Sequence, residues 1–139
     1  MILLDTNVIS EVIKPQPSLV VLRWLAAQEP QAIFTTTITK AEILYGVETL
    51  PQGRRRVQLS VAVEKMLAQE FQGRILPFDD DAARAFAKIV AARDAVGRPI
   101  SQFDAMIAAI ARSRGASIAT RNTADFERCA IPLINPWAA

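Results

Sequence analysis

Histidine is absent from this 139-residue chain, cysteine occurs once, and only nine residues are aromatic. The missing imidazole excludes Ser-His-Asp and Cys-His nucleophile pairs, imidazole acid–base catalysis, His-ligated zinc or iron, and a proximal haem histidine. A lone Cys129 excludes an intrachain disulfide; it suits a reducing, cytoplasmic compartment and is expected to be a small, half-buried residue. So few aromatics offer no evident platform for stacking single-stranded bases. The longest unbroken apolar run, Ala105 to Ala111, has seven residues, against the roughly 18 that a membrane span needs. Met1 to Leu4 reaches Asp5 with no basic segment before it, so no secretory signal and no membrane partner are expected.

What is present has an ordinary globular balance: 51% hydrophobic residues, 22% charged, and a net charge of +2. That mild basicity permits a polyanionic partner without demanding one. No repeat, low-complexity tract or linker interrupts the chain, so residues 1–139 are expected to form one domain with a substantial core. Short, largely unalternated apolar runs at Ile2–Leu4, Ile33–Thr36, Ile75–Pro77, Ser117–Thr120 and Pro132–Ile134 read as strands buried on both faces. Between them, Leu59, Val63, Met66, Leu67 and Phe71 keep helical spacing, as do Phe86, Ile89 or Val90, and Val96. Ser101–Ser113 is apolar nearly all round and reads as a buried helix, while Gly73, Gly97 and Gly115 stand where left-handed residues close helices. The alternation predicts a three-layer α/β/α fold around a mainly parallel sheet of about five strands.

Four acids stand in surroundings that ought to be buried. Asp5 follows an all-apolar strand, Glu42 lies in TKAEILYG, Asp104 opens the apolar helix, and Asp125 lies in TRNTADF. Each has a plain structural explanation. Thr39–Glu42, Ser101–Asp104 and Asn122–Asp125 share capping-box spacing, and Asp5 can cap a helix through Val8, Ile9 and Val12. The fold adds a second explanation. Helices that follow strands, and helices that lead back into them, all begin at the carboxyl edge of a parallel sheet, so the four carboxylates are directed toward the edge where such sheets bind ligands.

Carboxylates gathered there repel one another unless a cation neutralises them. Oxygen donors without imidazole or thiolate suit Mg²⁺, with Mn²⁺ as the alternative, and helix amino termini on the same edge favour phosphate oxygens. A divalent ion beside a phosphate is the arrangement for metal-assisted phosphodiester hydrolysis.

The segments MILLDTNVISE (1–11), that around Glu42, SQFDAMIAAIA (101–111), ATRNTADF (119–126) and NPW (135–137) together resemble PIN-domain endoribonuclease toxins of the VapC and FitB kind, over essentially the whole chain. The resemblance implies a Mg²⁺-dependent RNase toxin, usually homodimeric, held inactive by a cognate VapB/FitA-like antitoxin and meeting promoter DNA only through it. It implies an RNA substrate, with tRNA the example. It casts Asp5 and Asp104 as principal metal ligands, Glu42 as completing the acidic pocket, and Thr6 and Thr120 as orienting water or phosphate. Some relatives carry Asp at the position of Asn122, so either Asp125 supplies a fourth carboxylate or the site runs with three. With no paired histidines to drive 2′-hydroxyl attack, products with 5′-phosphate and 3′-hydroxyl ends are expected.

Two other families with acids at this edge fit poorly. A haloacid-dehalogenase-like phosphatase needs a second Asp where Asn7 stands, and a receiver domain needs an acidic pair and a late lysine that are missing. Among basic residues, Arg54–Arg56 reads chiefly as a solvated helix start, whereas Arg74, Arg98 and Arg121 lie beside edge loops where phosphate could be met. Asp79–Asp81 reads as helix capping, and Trp24 and Trp137 are candidates for a partner interface. The alternative function is a catalytically weak regulatory protein that binds its antitoxin and acts in DNA-bound autoregulation.

Overall fold

Five short apolar strands assemble into one sheet in the computed structural model, which describes all residues from Met1 to Ala139. The strands are β1 (Ile2–Leu4), β2 (Ile33–Thr36), β3 (Ile75–Leu76), β4 (Ser117–Ala119) and β5 (Leu133–Ile134). Their order is β3-β2-β1-β4-β5 and every pairing is parallel, so the sheet is wholly rather than mainly parallel. Helices α1 (Thr6–Val12), α2 (Leu19–Ala26), α3 (Thr37–Glu48), α4 (Arg54–Lys65), α5 (Asp80–Ala95) and α6 (Gln102–Arg114) cover both faces. None is long and apolar enough to cross a membrane.

Successive residues of each strand face opposite layers, which divides the core in two. Leu3 and Ile118 join Ile89 of α5 and Ile107 and Ile110 of α6 on one face. Leu4 and Ala119 join Val8 and Ile9 of α1, Val21 of α2, Ile43 and Val47 of α3 and Val63 of α4 on the other. Each large aliphatic side chain so buried contributes about 1.5–3 kcal/mol. Helix α6 is the buried helix the sequence predicts: Ala105, Ala108, Ala109 and Ala111 are fully inaccessible, and their small side chains let it pack closely against α5 and the sheet.

The chain winds outward from β1 to β3 and then crosses back to β4, so the direction of winding reverses between β1 and β4. That reversal opens a crevice at the carboxyl ends of these two strands, the position where doubly wound sheets bind ligands. Asp79 caps α5 by accepting the Ala82 N–H at 3.0 Å, as expected of Asp79–Asp81. Gly115 ends α6 with a left-handed φ of 64°. Elsewhere the sequence reading needs correcting. Cys129 is 1% exposed rather than half-buried, because its segment folds under the end of α5. Trp24, like Trp137, is partly buried against the core on the α1/α2 side.

Candidate active site at the carboxyl edge of β1 and β4

Asp5 is the first residue after β1, and its carboxylate is held from three directions. Oδ1 accepts the Thr6 N–H at 2.8 Å, which caps α1. Oδ2 accepts the Thr120 hydroxyl at 2.8 Å and the Asn7 amide at 3.3 Å. Thr120 follows β4, so this bond joins the two strands that flank the switch point. Asn7 also donates to the Thr120 hydroxyl at 3.1 Å and accepts the Arg121 N–H at 3.1 Å. Asp5 is 6% exposed, and burial raises its carboxyl from 3.8 to about 6; the bonds from Thr120 and Thr6 oppose the rise, while Asp104 and Glu42 add to it by charge repulsion.

Glu42 projects from α3 and accepts the Thr6 hydroxyl at 2.8 Å; the same hydroxyl lies 3.2 Å from that of Thr39. The capping-box reading of Thr39–Glu42 is wrong. Helix α3 begins two residues before Thr39 and is capped by Thr36, whose hydroxyl accepts the Thr39 N–H at 3.1 Å. Glu42 therefore sits mid-helix with no capping duty. Asp104 lies in the first turn of α6, where Ser101 caps by accepting the Asp104 N–H at 3.2 Å. Burial raises the Asp104 carboxyl; the Ser101 hydroxyl and, more weakly, Arg93 oppose this, and Asp125 adds to it. Asp125 rides on a 3₁₀ turn (Thr123–Phe126) rather than an α-helix, and the Asn122 side chain makes no capping bond there.

These four acids line a single cleft of about 470 Å³ together with Thr6, Arg121 and Asn122, and Thr120 sits beneath it as the buried partner of Asp5. Residues outside the sequence prediction also line it. Asn7, Ser10, Glu11 and Lys14 form a polar stripe along α1 and just beyond it at i, i+3, i+4 and i+7 spacing, a pattern visible in the sequence once α1 is taken as a helix. Lys14 bonds Glu11 at 3.1 Å, and that bond, with the Ser18 N–H, holds the Glu11 carboxyl below its usual range. Trp137 joins the rim, where the Arg121 guanidinium lies 5.1 Å from its ring centre. Of the other arginines, Arg98 makes a long contact of 3.8 Å with Glu127. Arg74 precedes β3 at the opposite, amino edge, and its guanidinium bonds the carbonyls of Pro30, Ile33 and Glu70. It is a structural clasp far from the cleft, because the residue before a strand and the residue after it stand at opposite edges.

The donor set fits a hard divalent ion. It is all oxygen, and none of Asp5, Glu42, Asp104 and Asp125 is in an ion pair. No three acids are gathered closely enough to cage a cation by themselves.

Fold and site together define a doubly wound α/β protein with an acidic, oxygen-lined cleft at its switch point. The PIN domain family model matches residues 2–132, and the chain belongs to the PIN-domain family. It is 41% identical over 137 residues to VapC ribonuclease Y4jK of Sinorhizobium fredii, covering 99% of this chain and 98% of that one. It is 37% identical over 138 residues to the tRNA(fMet)-specific endonuclease VapC of Shigella flexneri, covering 98% and 97%. The solved structure of FitAB bound to an IR36 DNA fragment matches with a TM-score of 0.93 at 39% identity, over 99% of this chain and 96% of that one.

Proposed function

We propose that this chain is a Mg²⁺-dependent endoribonuclease toxin of a toxin–antitoxin pair, with Mn²⁺ able to substitute. The observation that carries the reading is the nearly buried, unpaired carboxylate of Asp5 at the switch point, facing Glu42, Asp104 and Asp125 across one cleft. Asp5 and Asp104 would hold the ion, with Glu42 and Asp125 completing the acidic ring. A bound ion would supply Lewis-acid stabilisation of the phosphate and activation of water. Thr120, Thr6 and Asn7 fix the Asp5 carboxylate before substrate arrives, so little reorganisation is needed at the moment of reaction. Arg121, outside every ion pair and steadied against Trp137, would meet substrate phosphate at the rim. Asn122 is neutral, so Asp125 is proposed as the fourth carboxylate, the other reading being a site of three acids.

RNA is the proposed substrate, in keeping with the relatives named as ribonucleases, and tRNA is its proposed form. The proposed partners are a second copy of the chain and a VapB/FitA-like antitoxin, through which alone promoter DNA is met. A groove of about 420 Å³ between α1, α3 and α4, lined by Ile13, Ile43, Val47, Leu50, Leu59 and Val63 and reaching Glu42, supports a partner that can cover the cleft.

Purified free of antitoxin, the protein is expected to cleave RNA with Mg²⁺ or Mn²⁺, stop in chelator, and leave 5′-phosphate and 3′-hydroxyl ends. Asp5→Asn and Asp104→Asn are each expected to lower kcat by at least about a hundredfold while remaining folded. Unchanged cleavage in both variants would sink the site assignment, and full cleavage in chelator would sink the metal. A wild-type protein that binds antitoxin and operator but never cleaves would favour the regulatory reading.

A further inference from the structure

Arg93 is the one positively charged side chain that the fold buries, and no carboxylate pairs with it. It projects from α5, is 6% exposed, and takes part in none of the ion pairs. Main-chain carbonyls receive it instead. Nε donates to the Arg98 carbonyl at 2.6 Å, and Nη1 donates to the carbonyls of Asp125 at 2.9 Å and Glu127 at 3.0 Å, with Cys129 Sγ at 3.7 Å. A buried guanidinium carries a desolvation penalty that neutral carbonyls offset less completely than a carboxylate would.

The bonded carbonyls belong to two segments far apart in sequence. Arg98 lies in the connection that delivers Ser101, the cap of α6, and Asp104 in its first turn. Asp125 and Glu127 lie in the turn that carries the Asp125 carboxylate to the cleft. The second segment carries backbone strain. Arg128 and Ala130, on either side of buried Cys129, both hold positive φ, 63° and 61°, a region that a Cβ disfavours. Arg93 thus ties a strained turn to the lead-in of α6 from behind, and each tied segment brings one acid to the cleft.

We propose that Arg93 is a positioning residue of the acidic cleft: by clasping the Arg98 and Asp125–Glu127 carbonyls it sets the separation of the Asp104 and Asp125 carboxylates. The assignment deepens the nuclease reading and rests on it for its effect on catalysis. Its effect on the two segments is independent of that reading.

The test compares full-length wild type with Arg93→Met, which keeps bulk without donors or charge, and with Arg93→Lys, which keeps the charge on a single ammonium. Backbone amide exchange is expected to rise together in residues 98–104 and 122–129 of Arg93→Met. Calorimetric Mn²⁺ affinity is expected to fall about 10- to 100-fold, the range for losing a residue that supports a metal ligand. RNA cleavage is expected to lose kcat more than KM, with Arg93→Lys intermediate in each reading. If Arg93→Met does not fold, the same readings on Arg93→Lys decide. Protection lost in only one segment, or in both with Mn²⁺ affinity and kcat within about twofold of wild type, overturns the proposal, since a general packing role moves melting temperature without selecting these readings. A wild-type protein that neither binds Mn²⁺ nor cleaves RNA would overturn the nuclease reading instead, and amide exchange would still decide whether Arg93 holds the two segments together.

Discussion

Asp5 shows how one residue can serve both fold and chemistry at opposing cost. As the cap of α1 it accepts the Thr6 N–H, and as a buried acid it stands near Asp104 and Glu42 without a cation. Its carboxyl is raised from 3.8 to about 6, so the metal-free folded state binds the Asp5 proton more tightly than the unfolded chain does. Ionising Asp5 therefore weakens the fold by up to about 3 kcal/mol above pH 6, and the loss is recovered as pH falls through 6 toward 4. Asn caps as well as Asp and carries no charge. In chelator, Asp5→Asn is expected to melt higher than wild type at pH 7–8, with the gap closing by pH 4. Thermal melts across that range check it; a gap that is constant with pH, or reversed at neutral pH, would mean that Asp5 is chiefly a structural cap.

At the scale of the element, α6 has a functional end and a structural end. Its first turn holds Asp104 behind the Ser101 cap, and its last turn closes on Gly115 at a φ of 64°. Thirteen residues of helix separate the two ends, about 20 Å at 1.5 Å per residue. Ser101→Ala is expected to lose about 1 kcal/mol of stability and also to lower cleavage, because it frees the turn that presents Asp104. Gly115→Ala meets no side chain, so its penalty is confined to the backbone, again about 1 kcal/mol, and cleavage by the folded protein is expected to be unchanged. Melting temperatures and initial rates measured on both variants check the contrast. Helix α3 makes a related point. Reading its start at Thr39 made Glu42 a capping residue; the extended run Ile33–Thr36 passes directly into the helix, so Thr36 caps and Glu42 is released to the cleft.

On the scale of the whole molecule, the sheet brings acids from residues 5, 42, 104 and 125 to one cleft, where the proposed cation would relieve their repulsion. Mn²⁺ or Mg²⁺ should therefore stabilise the folded chain as a ligand does, by about 2.7 kcal/mol at a hundred times its dissociation constant. Thermal melts with and without the ion are expected to show that rise in wild type and to lose most of it in Asp104→Asn. An equal rise in both proteins would place the ion elsewhere.

The strands, the buried helix α6 and the helix-closing Gly73, Gly97 and Gly115 were legible in the sequence because they rest on local signals: apolar run length, helical period and the tolerance of glycine for left-handed backbone. The gathering of Asp5, Glu42, Asp104 and Asp125 was legible as well, since parallel winding directs residues after strands and at helix starts to a common edge. Which further groups meet those acids was decided by tertiary structure. The Thr120–Asp5 bond, the Arg121–Trp137 pair, the burial of Cys129 and the clasp of Arg93 on the Asp125–Glu127 segment all depend on side chains that meet across segments with no periodicity to announce them. Local physical chemistry determined where the carboxylates would point; only close packing of non-local segments decided what holds them there.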